Sequence, residues 1–269
     1  MRIAIEHNTH YRFSEPQARL VQMLRLTPCD TQDQTVVNWH IGVDCDARLR
    51  EATDGFGNAI TMLYAEGPLA AIDITVIGEV LTNEATGVIR DAVDPLPPLF
   101  YLRTTPRTLA DTDLIDFTAD HIGSGDPLEK MHRLNTALHV RFPGAPDAPD
   151  TGATAAEAFA AKSTSSRDVA QMFIAGARSL HIPARYVSGY RSDGEESHSA
   201  PHAWAEAHIE RIGWIGFDPV TGLSPDASYV RVAVGLDALG AASIAGMRIG
   251  KGKEELDVDL HVDQLGVEE

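Results

Sequence analysis

Across residues 3–13 the odd positions are Ile3, Ile5, His7, Thr9, Tyr11 and Phe13, and the even ones are Ala4, Glu6, Asn8, His10 and Arg12. A period of two marks a half-buried strand. Leu20, Gln22, Leu24 and Leu26 and the run 36–43 predict further strands, and 69–81 alternates again through Ile72, Ile74 and Val76. Asp54-Gly55-Phe56-Gly57-Asn58 reads as a turn between two of them, because glycine tolerates the positive φ such turns need. Strand after strand with tight turns predicts a sandwich-like antiparallel region. Asp94-Pro95-Leu96-Pro97-Pro98 ends it, since prolines continue neither a ladder nor a helix. The expected division is an N-terminal β domain over 1–94 and a second unit over 95–269.

Beyond the prolines the period becomes helical. Asp126 and Pro127 suit the N-cap and first turn of a helix that carries Leu128, Met131, Leu134 and Leu138 on one face. A Pro/Gly/Asp-rich loop is expected over 142–152 and a short Ala-rich helix over 153–161. After Ser166, the residues Val169, Met172, Phe173, Gly176, Ala177 and Leu180 form a continuous apolar face, with small residues that admit a close neighbour. Strand-like pieces follow at 184–190, 203–209, 214–217, 229–234 and 256–262. A helical cluster followed by antiparallel strands gives an α+β class.

Composition narrows the function classes. The chain has 269 residues, 43% hydrophobic and 23% charged, with a formal net charge of −17. That charge disfavours binding to nucleic acid or to anionic membranes. No run is long and apolar enough to span a bilayer, and the N-terminus lacks the apolar stretch of a signal peptide. Cys29 and Cys45 lie far from the motifs described below and are too few for a disulfide scaffold. The expectation is reduced cysteines and a cytoplasmic location. There is no Walker loop or dinucleotide fingerprint, so no cofactor is implied. His198, His202 and Glu206 raise the question of a metal. Pro201 breaks any helix that would align them, and no third strong ligand has the right spacing, so no metal is expected.

The candidate chemistry lies in three places. Ser166 stands at a helix start, His202 in Pro201-His202-Ala203-Trp204-Ala205-Glu206, and Asp218 in Trp214-Ile215-Gly216-Phe217-Asp218-Pro219. A nucleophile, a base and an orienting carboxylate on successive elements form a triad in order. Each residue also has a plainer role. Ser165 and Ser166 can cap the helix, His202 can be a satisfied core histidine, and Asp218 before Pro219 can be a turn residue.

Leu180-His181-Ile182-Pro183-Ala184-Arg185-Tyr186-Val187-Ser188-Gly189-Tyr190, together with the histidine and aspartate motifs, resembles the core of bacterial transglutaminase-like proteins. His10-Tyr11-Arg12-Phe13 and Leu24-Arg25-Leu26-Thr27-Pro28 are similar to that family's N-terminal region. The resemblance implies a papain-like, transglutaminase-type core and thiol chemistry. A cysteine at the helix start attacks an amide, with the residues matching His202 as base and Asp218 as orienting group. Ser166 occupies the cysteine position here. Two further departures are Gln171, where the family usually carries a His, and the segment 236–243, which lacks the family's Arg-Asp-Tyr start and paired prolines. A hydroxyl is a far weaker acid than a thiol. The expected function is therefore a pseudoenzyme or very weakly active site that binds peptides. The alternative is an active amide-bond hydrolase or acyl transferase using Ser166, His202 and Asp218. Trp204 and Gln171 are the candidate substrate contacts, although Trp204 and Trp214 also suit a core. The resemblance further implies a peptide or protein partner, in association with peptide ligases or proteasome-like peptidases.

Overall fold

The odd-position stripe of 3–13 is the first half of a single strand, β1 (Arg2–Leu24), that passes straight through the second predicted one. Its buried face changes parity partway. Ile3, Ile5, His7, Thr9, Tyr11 and Phe13 are buried, then Leu20, Gln22 and Leu24. The register against the partner strand β4 (Ala59–Thr82) shifts between Arg12 and Gln17 and again between Gln17 and Arg19. Extra residues at such irregularities turn the side chains over, so odd positions give way to even ones on the same face. The computed structural model describes residues 1–83, 86–143, 152–163, 165–192 and 200–265.

β2 (Gln34–Val43) pairs with the far half of β4, and β3 (Ala47–Thr53) with its near half. The turn from β3 into β4 is held by Asp54, whose Oδ1 accepts from the N–H groups of Phe56 at 2.9 Å and Asn58 at 3.1 Å. Tyr11, Phe13 and Ile72 from one half of the long strands cluster with Leu20, Leu24 and Leu63 from the other. One sheet thus packs against itself, which gives the sandwich-like character.

The helices are α1 (Thr112–Ile122), α2 (Pro127–Arg141), α3 (Ala155–Ala161) and α4 (Ser166–Ser179). Asp111, Asp126 and Thr154 cap the first three by accepting from the N–H three residues on. The predicted loop at 142–152 falls mostly outside the described residues. A Cβ on Gly176 would lie 2.9 Å from Thr118 Oγ1 and 3.1 Å from Leu134 Cδ2, so the glycine is what lets α4 lie against α1 and α2.

The second sheet consists of β5 (Val88–Ile89), β6 (Ala184–Arg191), β7 (His202–Ile209), β8 (Gly213–Phe217) and β9 (Tyr229–Gly235), antiparallel in the order β5-β8-β7-β6-β9. With the helices it completes the α+β architecture. The chain then returns. β10 (Ile244–Ile249) and β11 (Glu254–Leu265) pair with the two halves of β1. Sequence order groups the strand at 256–262 with the core, but the structure places it in the N-terminal sheet. Leu260 and Val262 join Ile3, Ile5 and Val80 in the same apolar cluster as the helices.

A buried charge network sets the second sheet. Glu206 on β7 accepts from Arg185 Nε at 2.6 Å and from Arg231 Nε at 2.7 Å. Asp94, from the proline boundary, accepts from Arg185 Nη1 at 3.0 Å and Trp214 Nε1 at 2.6 Å. Arg185 also lies 3.9 Å over the Trp214 ring. The boundary segment is thereby tied to the core, and Glu206 is committed to two guanidinium groups rather than to a metal.

Candidate active site

The cap of α4 separates two adjacent serines. Ser165 is the N-cap, its Oγ accepting from the Asp168 N–H at 3.1 Å. Ser166 is the first helical residue, and its hydroxyl makes no hydrogen bond among the described residues. It is 3% exposed. The positive end of the helix dipole and the unsatisfied first-turn N–H groups lie around it.

The helix runs alongside β7 in the same direction. Phe173 stacks on Phe217, which pairs with Ala205, and Arg178 donates to the carbonyl of Ala184, which pairs with Ala207. From Phe173 back to Ser166 the helix descends about 10 Å at its usual rise. From Ala205 back to His202 the strand covers about 10 Å at its own. Ser166 and His202 therefore sit at the same end of the helix–sheet layer. Ala203, Ala205 and Ala207 share the cluster that contains α4, while Trp204, on the alternate face, joins Val187, Tyr229 and Val234.

His202 is held by a carboxylate. Its Nε2 lies 2.8 Å from Asp218 Oδ2. The same oxygen accepts from the Tyr229 hydroxyl at 2.6 Å, and Oδ1 accepts from the Val220 N–H at 2.9 Å. Asp218 thus serves as both turn residue and orienting group, one oxygen for each. Its burial alone would raise its carboxyl's pKa. Electrostatic attraction to the His202 imidazole, its hydrogen bond and the bonds from Tyr229 and Val220 outweigh that and hold it below the usual carboxylate range. Burial, together with the Asp218 charge and hydrogen bond, pushes the Tyr229 phenol well up. With Asp218 a carboxylate, Nε2 carries the proton, and Nδ1 is the nitrogen left for proton transfer.

The aromatic frame is close. Trp204 stacks on the His202 ring at 6.2 Å and 26°, and Tyr229 meets that ring edge-on at 5.8 Å. Trp204 is 2% exposed and Gln171 is fully buried. Both side chains are buried, and neither is among the described residues that line the cleft below. Gln171 Oε1 instead accepts from the Ala238 N–H at 3.4 Å. The two departures at Gln171 and 236–243 are therefore one packing arrangement. His198 lies outside the described residues. Cys29 and Cys45 are both free thiols. Among the described residues no helix is long and apolar enough to cross a membrane.

A cavity of about 540 Å³ adjoins this end of the layer. Arg167, next to Ser166, and Pro201, next to His202, both line it, as do Tyr186 and Ser188 of β6. Its opposite wall comes from the N-terminal sheet through His7, Thr9 and Tyr11. His7 was not singled out from sequence. Its Nδ1 lies 3.0 Å from the Tyr190 hydroxyl, and burial lowers its pKa to about 4, so the ring is neutral. Tyr229 and His7 fit plain strand alternation, which gave no signal for either role.

Comparison with known proteins agrees with this architecture. Residues 3–81 match the bacterial transglutaminase-like N-terminal region, and residues 116–219 match the transglutaminase-like superfamily core. An uncharacterized protein of Mycobacterium leprae (strain TN) is 24% identical over 98% of this chain and 99% of its own length. The crystal structure of a candidate cysteine protease from Cytophaga hutchinsonii superposes with a TM-score of 0.77. It covers 100% of this chain and 92% of that one at 19% identity, a likeness of fold.

Proposed function

Starting from a chain that joins a bacterial transglutaminase-like N-terminal region to a transglutaminase-like core, we propose a peptide-binding protein with a thiol-type site that carries serine as its nucleophile. Ser166 is the nucleophile position, His202 the base and later the acid, and Asp218 the orienting group. Amide turnover by the serine form is very slow or absent. The observation that carries this reading is the contrast between the two halves of the site. His202 and Asp218 are bonded at 2.8 Å, while the Ser166 hydroxyl has no hydrogen bond among the described residues. A hydroxyl must lose its proton during attack and needs a base already bonded to it, whereas a thiol at a helix start beside an imidazole can ionise beforehand.

In the thiol form the steps are as follows. Proton transfer from sulfur to His202 Nδ1 leaves a thiolate. The thiolate bonds to the amide carbon, and the C–N bond breaks as the imidazolium returns the proton to the leaving amine. Water or an amine then takes the acyl group. Asp218 keeps Nε2 protonated throughout.

A second reading has its own support. The His202–Asp218 pair, reinforced by Tyr229, is fully built, as an active serine amidase would require. The two readings separate on fluorogenic peptide amides. The expected result is a native rate near background and a gain in Ser166→Cys of about a hundredfold or more, lost again in Ser166→Cys/His202→Ala. Robust native turnover that His202→Ala abolishes would establish the serine amidase instead. An inert Ser166→Cys protein would leave binding as the only role.

A further inference from the structure

Among the described residues, the lining of the cleft next to Arg167 and Pro201 carries more basic than acidic side chains, whereas the chain as a whole is acidic. Among the described lining residues the charged side chains are Arg107, Arg167 and Asp257, in a protein of net charge −17. His7 adds no charge, because its burial keeps the ring neutral. Arg107 sits in a short 3₁₀ turn, Pro106–Thr108, and Thr108 Oγ1 accepts from Arg178 Nη1 of α4 at 2.6 Å. The turn is therefore anchored to the helix that carries Ser166. Arg107 lines the cleft, and its buried Nη1 has no hydrogen-bond partner among the described residues. A buried guanidinium N–H without a partner is unfavourable, and a ligand that accepts from it relieves that. Exposed apolar side chains also line the cleft. Leu239 is 60% and Leu256 56% exposed, and both line the cleft with Ile244.

We propose that this cleft takes an extended peptide carrying a carboxylate, with Arg107 reading that carboxylate and Leu239 and Leu256 receiving apolar side chains. Arg107 is a specificity residue in this scheme. It does not touch the reacting atoms. The carboxylate can be an Asp or Glu side chain or a free C-terminus, since the same fork of donors fits both. The inference rests on the peptide-binding reading above.

The test uses the native chain and fluorescence anisotropy on three labelled five-residue peptides. One has capped ends and a central Glu, the second has Gln in its place, and the third has Gln and a free C-terminal carboxylate. One or both acidic peptides should bind about tenfold or more tighter than the capped Gln peptide, in line with a charge-assisted bond. Which one does so identifies the source of the carboxylate. Arg107→Gln should remove the preference, so that the acidic peptides bind no tighter than the capped Gln peptide. Arg107→Lys, which keeps the charge without the fork, should retain part of it. Equal binding of all three peptides by the native protein, or a preference that survives Arg107→Gln, overturns the inference and leaves peptide binding standing. Failure of all three to bind removes the peptide-binding reading itself.

Discussion

Glu206→Gln tests whether charge pairing inside the second sheet holds the strand that carries His202. The Glu206 side chain is 0% exposed and that of Arg185 1%. Burial by itself would raise the Glu206 carboxyl. The charges of Arg231 and Arg185 and their hydrogen bonds overcome this and hold it at about 2, against an ordinary 4.5. At 1.36 kcal/mol per pH unit, the difference corresponds to stabilisation on the order of 3 kcal/mol at neutral pH. Removing one partner of a buried pair costs a similar amount, about 3–5 kcal/mol, because the guanidinium groups left behind stay buried. The folded-state pKa is depressed, so this contribution is complete above the unfolded value near 4.5 and is lost as pH falls toward 2. Urea unfolding of the native protein and Glu206→Gln should therefore show a gap of about 3 kcal/mol at pH 7 that narrows by roughly half by pH 3. A gap below about 1 kcal/mol at pH 7 would show that solvent or rearrangement compensates the pair. A gap that widens on acidification would show that the sign is wrong.

Tyr229→Phe removes the 2.6 Å bond to Asp218 Oδ2. The Asp218 carboxyl should rise toward the usual range, and the stability it contributes above that range should start to be lost at a higher pH. Carboxyl-carbon NMR titration reads the midpoint, and an unmoved midpoint refutes the role given to Tyr229. Ending the chain at residue 243 removes β10 and β11 and uncovers the length of β1 that they pair with. Soluble protein should fall sharply and dye binding to exposed apolar surface should rise. Unchanged yield and melting would mean that the first sheet stands without its return strands.

Much of the fold is legible in local pattern. The period of two in β1 and β4, the Asp126 cap with Pro127, and the apolar stripe on α4 are direct consequences of strand and helix geometry, which repeats over a few residues. The order of Ser166, His202 and Asp218, and the motifs around them, are equally local. Helix α1 was missed although Leu114, Phe117, Thr118 and Ile122 are its buried residues and Asp111 caps it. The stripe is short, and the prolines upstream dominate the reading of that stretch.

The amino-acid sequence by itself determined the α+β class, the strand faces and the candidate nucleophile, base and orienting residue, because each follows from side-chain type at a fixed local spacing. Tertiary structure alone decided that β10 and β11 return to β1, with pairings such as Ile3 to Gln264. Both run at the sheet margin with largely exposed faces, so no alternation announces their partner. It alone separated Ser165 as cap from Ser166 with its hydroxyl unbonded, set Tyr229 on Asp218, and turned Trp204 and Gln171 inward. It also brought Arg107 into the cleft. These outcomes depend on which groups meet across long stretches of chain, and no short-range period encodes such meetings.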